Sequence, residues 1–138
     1  MIQSLAHSKK KDKPGIDKII DPTNPKFRSD DVVKELTDSQ EIDSEEGFIL
    51  TPQVLILGWT KEYIDLKESR LAARVEGKSS LARLGLSVHM TAPTIHAGFD
   101  GRIRLEIVNH GEIPVRLKSD MRICQLIFEQ TFGPAFPG

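Results

Sequence analysis

Two glycines, Gly77 and Gly85, bracket the run Lys78-Ser79-Ser80-Leu81-Ala82-Arg83-Leu84, which crowds two cations and two hydroxyls into one short stretch. Ammonium, guanidinium and hydroxyl groups are the donors that clustered anionic oxygens require, so the stretch reads as a candidate phosphate-binding loop. It is not a P-loop. The leading glycine of that motif would fall on Ala72, and no strand-loop-helix pattern surrounds it. The same composition suits a solvated surface turn, with Arg83 paired to a nearby acid such as Glu76. Further on, His89 and His96 lack a third nitrogen or sulfur ligand at metal-site spacing, so no metal site is assigned. In Arg102-Ile103-Arg104-Leu105-Glu106-Ile107-Val108, strict alternation places Ile103, Leu105 and Ile107 on one face and Arg102, Arg104 and Glu106 on the other. Taken alone, that is a solvated strand face carrying one carboxylate.

Short strands must position these groups. Phe48-Ile49-Leu50, Val54 to Leu57 and Ile103 to Val108 are short and rich in apolar or β-branched residues. Turn signals stand between them at Thr51-Pro52, Gly58, Asn109-His110-Gly111 and Ser119-Asp120. Only Tyr63 to Val75 offers a helical contender. Regularly spaced short strands with few helices point to an all-β sandwich or jelly-roll barrel. The first forty-six residues differ in character: a charge run at Lys9 to Lys13, prolines at 14, 22 and 25, and an acidic stretch from Asp38 to Glu46. This segment, 1–46, reads as polar and loop-rich. A strand is expected at Ile16 to Ile20 and a single helical turn or strand at Asp31 to Leu36; a β domain is expected over 47–138.

With 138 residues the chain is most simply one domain. A net charge of −1 supplies no global field for nucleic acid or an anionic membrane, so any cationic site is local. No apolar run has membrane-spanning length, and no export signal is evident. The single cysteine, Cys124, lies in the apolar run Ile123 to Phe128 and reads as a small buried hydrophobe in a reducing cytoplasm. One cysteine also excludes the His/Cys/Cys zinc centre of the zinc-dependent nucleoside deaminases.

Four blocks in order carry a resemblance: Gly77 to Gly85, then His89-Met90-Thr91-Ala92-Pro93-Thr94-Ile95-His96-Ala97-Gly98-Phe99, then Gly101 to Glu106, then Met121-Arg122-Ile123-Cys124-Gln125-Leu126. Together they resemble the dCTP deaminases of the dCTP deaminase/dUTPase superfamily, from about Gly47 to about Phe128. The family's N-terminal serine-valine-aspartate-leucine type motif and its C-terminal closing segment find no match. The resemblance implies a distorted jelly-roll β-barrel, a homotrimer with active sites between subunits, and zinc-free hydrolysis of dCTP to dUTP and ammonia. Mg²⁺ would accompany the triphosphate. Alternatives within the resemblance are a dUTPase, a bifunctional dUMP-forming deaminase that also takes dUTP, or an inactive nucleotide-binding relative responsive to dCTP, dUTP or dTTP.

Residue roles follow from the same resemblance. Ser79 and Arg83 would border the catalytic water and the carboxylate, Ser80 would bind phosphate, and Lys78 stands where the family more often has arginine. Lysine supplies charge there without the bidentate fork. Glu106 matches the acid that separates deaminases from dUTPases, and a partly desolvated glutamate can take a proton from water attacking C4 and return protons to N3 and the leaving amine. Backbone carbonyls near Thr91 and Ala92, with Ser79, would hold that water. His96 replaces an aspartate that contacts the sugar hydroxyl and, in dUTPases, positions the attacking water; this weakens a phosphoanhydride-cleaving reading. Thr94 stands where some relatives have a substrate-contacting arginine. Phe99 would lie against the deoxyribose or pack in the core, and Gln125 matches a glutamine that contacts phosphate.

Overall fold

The computed structural model describes residues 1–8 and 19–133. Ten strands and two short helices follow in the order β1 (Ile2–Ser8), α1 (Ser29–Leu36), β2 (Thr37–Glu41), β3 (Phe48–Leu50), β4 (Leu55–Asp65), β5 (Leu71–Gly77), α2 (Ser79–Ala82), β6 (Leu86–Ser87), β7 (Thr94–Ile95), β8 (Asp100–Asn109), β9 (Val115–Leu117) and β10 (Cys124–Gln130). The fold is all-β, as expected. A five-stranded sheet runs β2-β1-β4-β8-β6, a three-stranded sheet β10-β5-β7, and a two-stranded sheet β3-β9. All these pairings are antiparallel.

One hydrophobic cluster joins the three sheets. Ile2, Leu5, Ile56, Leu105 and Ile107 enter it from the large sheet, Ala73, Val75 and Ile95 from the second, and Leu50 and Leu117 from the third. Ile103, Leu105 and Ile107 are at most 6% exposed, while Arg102 and Arg104 face outward. The alternation in β8 therefore does what period-two patterning requires of a strand with one buried face. Its partner β4 carries Gly58 opposite Leu105. A Cβ at Gly58 would come within 2.8 Å of Ile107 Cδ1 and 3.4 Å of Leu5 Cδ2, so this glycine admits close packing in mid-strand and marks no turn. The β4–β8 register shifts between Trp59 and Tyr63. There the buried Thr60 hydroxyl accepts the Ile103 N–H at 3.0 Å and donates to the Glu62 carbonyl at 2.9 Å, which satisfies groups the interrupted ladder would leave unpaired.

Several expectations change. Among the described residues of the first forty-six, β1 inserts between β2 and β4 and contributes Ile2 and Leu5 at 0% exposure, a core strand that the sequence pattern does not announce. The Asp31–Leu36 element is helical, lying within α1. Of the expected strand at 16–20, residues 16–18 lie outside the described residues, and Ile19 and Ile20 are exposed and outside any strand. Tyr63 to Val75 is not helical: it spans the end of β4, a turn, and β5, in which Ala73 and Val75 turn inward. Cross-strand pairing with β10 overrides the helical propensity of Leu71-Ala72-Ala73-Arg74. Cys124 is half-buried on β10, and desolvation raises its thiol pKa above the ordinary value.

Candidate active site

The cationic stretch folds as a tight turn between β5 and β6. The Lys78 carbonyl accepts from the Leu81 and Ala82 N–H groups, both at 2.9 Å, and the turn closes through Gly85 N–H to the Ala82 carbonyl at 2.9 Å. Gly85 has φ +90°, and a Cβ there would run into the Gly111 backbone. The approach is held by the His110 N–H, which donates to the Gly85 carbonyl at 2.8 Å. Behind it stands Asn109, fully buried, donating to the Leu50 and Ile113 carbonyls at 3.1 and 2.9 Å and accepting the Gly111 N–H at 2.9 Å. The turn is thus locked to the end of β8.

Its candidate side chains are left open. Ser79, Ser80 and Arg83 are exposed, and among the described residues their side chains make no hydrogen bond or ion pair. Arg83 does not pair with Glu76, which instead binds Arg74 at 3.0 Å, while Arg74 also reaches Glu129 at 2.8 Å. Lys78 is half-buried at the start of the turn. Gln125 is exposed on β10 and donates to the Gly77 carbonyl at 3.4 Å, which places its amide beside the same turn.

The second group lies along the free edge of β8. After β6 the chain continues past this strand, and the Met90 N–H donates to Glu106 Oε2 at 3.3 Å. Glu106 is half-buried opposite Leu57 of β4. The Pro93 carbonyl accepts the Val75 N–H at 2.9 Å and fixes the segment that carries Thr91 and Ala92. A cleft of about 250 Å³ opens here, lined by Ala92, Thr94, His96, Phe99, Ile103 and Arg104. Phe99 both lines the cleft and packs against the core. His89 borders this cleft and a neighbouring one of about 380 Å³ that touches Ala82 of the cationic turn. The structure thus brings Ala92, His96 and Phe99 into one cleft, holds Glu106 through the loop beside it, and gathers Lys78, Ser79, Ser80, Arg83 and Gln125 around a separate turn.

Three features were not legible as site groups. The Met90 N–H is a backbone donor without a sequence signature, and the buried, unpartnered Nδ1 of His89 is a property of packing. Arg104 stacks over Trp59, 5.5 Å from the ring centroid, and binds Asp30 of α1 at 3.1 Å; its alternation with Glu106 was the only available cue. A roomier groove of about 550 Å³ lies between α1 and the outer face of the large sheet, with Val33, Leu36, Leu55 and Leu57 among its walls. Its walls are mainly apolar, and none of the candidate residues named from the sequence lines it.

Comparison with known proteins ties this geometry to a family. Residues 9–131 match the model of the dCTP deaminase-like family. The chain belongs to the dCTP deaminase-like family. It is 43% identical over 112 residues to a Methanobrevibacter smithii protein named dCTP deaminase, dUMP-forming, covering 81% of this chain and 56% of that one. It is 51% identical over 92 residues to a protein of the same name from Methanothermobacter thermautotrophicus, covering 66% and 46% of the two. The chain therefore spans about half the length of the curated relatives it matches. Among solved structures, the 2′-deoxycytidine 5′-triphosphate deaminase from Agrobacterium tumefaciens superposes with TM-score 0.65 at 21% identity, over 92% of this chain and 36% of that one. Native EIAV dUTPase gives TM-score 0.54 at 23% identity, over 66% and 73%. These likenesses establish the dUTPase-like fold of this dCTP deaminase-like chain.

Proposed function

We propose that this chain deaminates dCTP hydrolytically without zinc, with Glu106 as the proton-transfer group. The observation that carries the reading is the half-buried Glu106 carboxylate, held by the Met90 N–H beside the cleft of Ala92, His96 and Phe99, in a chain of this family. Water attacks C4 of the cytosine as Glu106 takes its proton. The carboxylic acid so formed then protonates N3, and ammonia leaves with the second proton transferred. One carboxylate suffices because it alternates between base and acid.

The phosphates fall to Lys78, Ser80 and Gln125, with Mg²⁺ as counter-ion to the triphosphate, and Ser79 and Arg83 border the attacking water and the Glu106 carboxylate. Because Ser79, Ser80 and Arg83 stand exposed on their own turn, they are proposed to complete the pocket of a neighbouring copy in a homotrimer. Among the described residues no helix is long and apolar enough to cross a membrane, and a cytoplasmic location is proposed from the substrate. The product needs revision. The family resemblance implies dUTP, whereas the relatives are named for forming dUMP, so dUMP is proposed as the final nucleotide.

Incubation with dCTP and Mg²⁺, followed by ammonia assay and nucleotide chromatography, tests the reading, with light scattering on the same sample. Ammonia release by a trimer is expected. A folded trimer that binds dCTP and releases no ammonia refutes deamination, and a fully active monomer refutes the shared site.

A further inference from the structure

We propose that Asp30 of α1 is a positioning residue for Glu106: by holding the Arg104 guanidinium over the Trp59 ring, it keeps that cation off the carboxylate two residues along the same strand face. The inference rests on the deaminase reading, in which Glu106 must accept a proton, and names a residue outside the cleft on which that role depends. Arg102, Arg104 and Glu106 share the outward face of β8, and the strand is regular from Arg104 to Glu106, opposite Trp59 and Leu57. An arginine and a glutamate so placed are within reach of each other. β5 shows what the spacing permits: Arg74 and Glu76 stand in the same order two residues apart, and Arg74 Nε donates to Glu76 Oε1 at 3.0 Å.

On β8 the corresponding pair stands apart. Arg104 Nη1 binds Asp30 Oδ1 at 3.1 Å, and its Cζ lies 5.5 Å from the centroid of the Trp59 ring on the neighbouring strand. Arg102 is turned away as well, donating through Nη1 to the Thr60 carbonyl at 3.0 Å and to the Lys61 carbonyl. Among the described residues Glu106 accepts only the Met90 N–H, at 3.3 Å, and has no ion pair. The other groups beside it bring no fixed cation: Leu57 lies opposite on β4, and the loop that supplies Met90 carries His89, whose Nδ1 is buried without a partner.

The two anchors of Arg104 are individually weak, since an exposed ion pair and an exposed cation–π contact each contribute little. Glu106 is half-buried, where charges are screened less, and would be the stronger partner for a released guanidinium. Under the shared-site reading, Arg83 of a neighbouring copy takes one side of the carboxylate. A second guanidinium from Arg104 would occupy the remaining lone pairs, displace the attacking water and oppose proton uptake, because a cation at a carboxylate favours its charged form.

The test compares the native chain, Asp30→Ala, Arg104→Gln and the double variant, following ammonia release from dCTP with Mg²⁺. Asp30→Ala is expected to lose about tenfold in kcat with KM close to native, and adding Arg104→Gln to it is expected to recover most of that loss. An Asp30→Ala variant with native kcat overturns the proposal. So does a double variant no faster than Asp30→Ala, since Arg104 would then be a group that the reaction needs in place. A second readout requires no turnover. Denaturant midpoints give the coupling between Arg104→Gln and Glu106→Gln, which is expected near zero in the native background and stabilising once Asp30→Ala is present. Equal coupling in both backgrounds overturns the proposal. Coupling that appears only with Asp30→Ala, in a chain that releases no ammonia, supports the positioning and refutes the deaminase reading instead.

Discussion

Glu106→Gln is expected to remove the proposed proton transfer while retaining nearly everything else the side chain does. The amide has the reach of the carboxylate, and its oxygen can still accept the Met90 N–H that Glu106 Oε2 receives at 3.3 Å. Loss of general acid-base function costs about 10²–10⁴ in rate, or about 2.7–5.4 kcal/mol of transition-state stabilisation. The stability change is smaller. Exchanging a charged acceptor for a neutral one at a long, half-exposed hydrogen bond costs about 1 kcal/mol or less, a few degrees in melting temperature for a chain of this size. Ammonia release and calorimetric dCTP affinity, measured on one preparation, separate these terms. Turnover is expected to collapse while affinity and melting temperature stay close to native. Glu106→Ala provides the contrast, since it also strips the acceptor from the Met90 N–H and should lose further stability. Native ammonia release from Glu106→Gln would remove this residue from the mechanism and with it the main physical reason for preferring deamination.

Three further outcomes are expected. Arg83→Ala should lose about 2–4 kcal/mol in kcat/KM with little change in melting temperature, because Arg83 is exposed and holds no ion pair among the described residues; an unchanged kcat/KM would return it to the solvated surface. Leu5→Ala should destabilise by about 2–5 kcal/mol in denaturant unfolding, since Leu5 is 0% exposed in β1, and a loss below about 0.5 kcal/mol would mean that β1 is not integral to the core. Hydrogen bonds from Lys67 and Tyr63 hold the Asp100 carboxyl below its usual range, so its contribution is present above the ordinary carboxylate pKa of about 4 and is lost as pH falls through the lowered value. Melting temperature followed into acid should fall less steeply in Asp100→Asn than in the native chain, and identical acid limbs would contradict the assignment.

Legibility depended on whether local pattern and tertiary burial agreed. In Ile103 to Val108 they agree, because one sheet face is core and the other is open, so faces could be assigned from spacing alone. In β1 the register shifts between Ile2 and Ser4, and consecutive Leu5 and Ala6 are both buried, so no period-two signal reaches the sequence. Gly58 misled for a related reason: a glycine that admits Ile107 and Leu5 has the same letter as one that turns the chain. The turn between Gly77 and Gly85 was legible by composition, yet its anchorage was not. Gly85, Gly111 and Asn109 are ordinary turn residues until the fold brings them together. Glu106 was legible only through four blocks in order, since an acid alternating with arginines is otherwise an unremarked strand face.

The same strand sets both halves of the proposed site. β8 pairs Leu57 with Glu106 on one side, and on the other it pairs Ser87 with Val108 and Leu86 with Asn109. The first pairing places the carboxylate; the second places β6, whose preceding Gly85 is held by the His110 N–H directly after the strand. A slip of one residue in β8 would turn Glu106 toward the core and push Leu105 and Ile107 into water, while moving Asn109 off the Leu50 and Ile113 carbonyls. The energetic cost of that slip is set by three inward apolar side chains and one buried amide. The core register of β8 and the position of its proposed proton-transfer group are therefore a single constraint, and substitutions at Leu105 or Asn109 should be read for their effect on Glu106 as well as on stability.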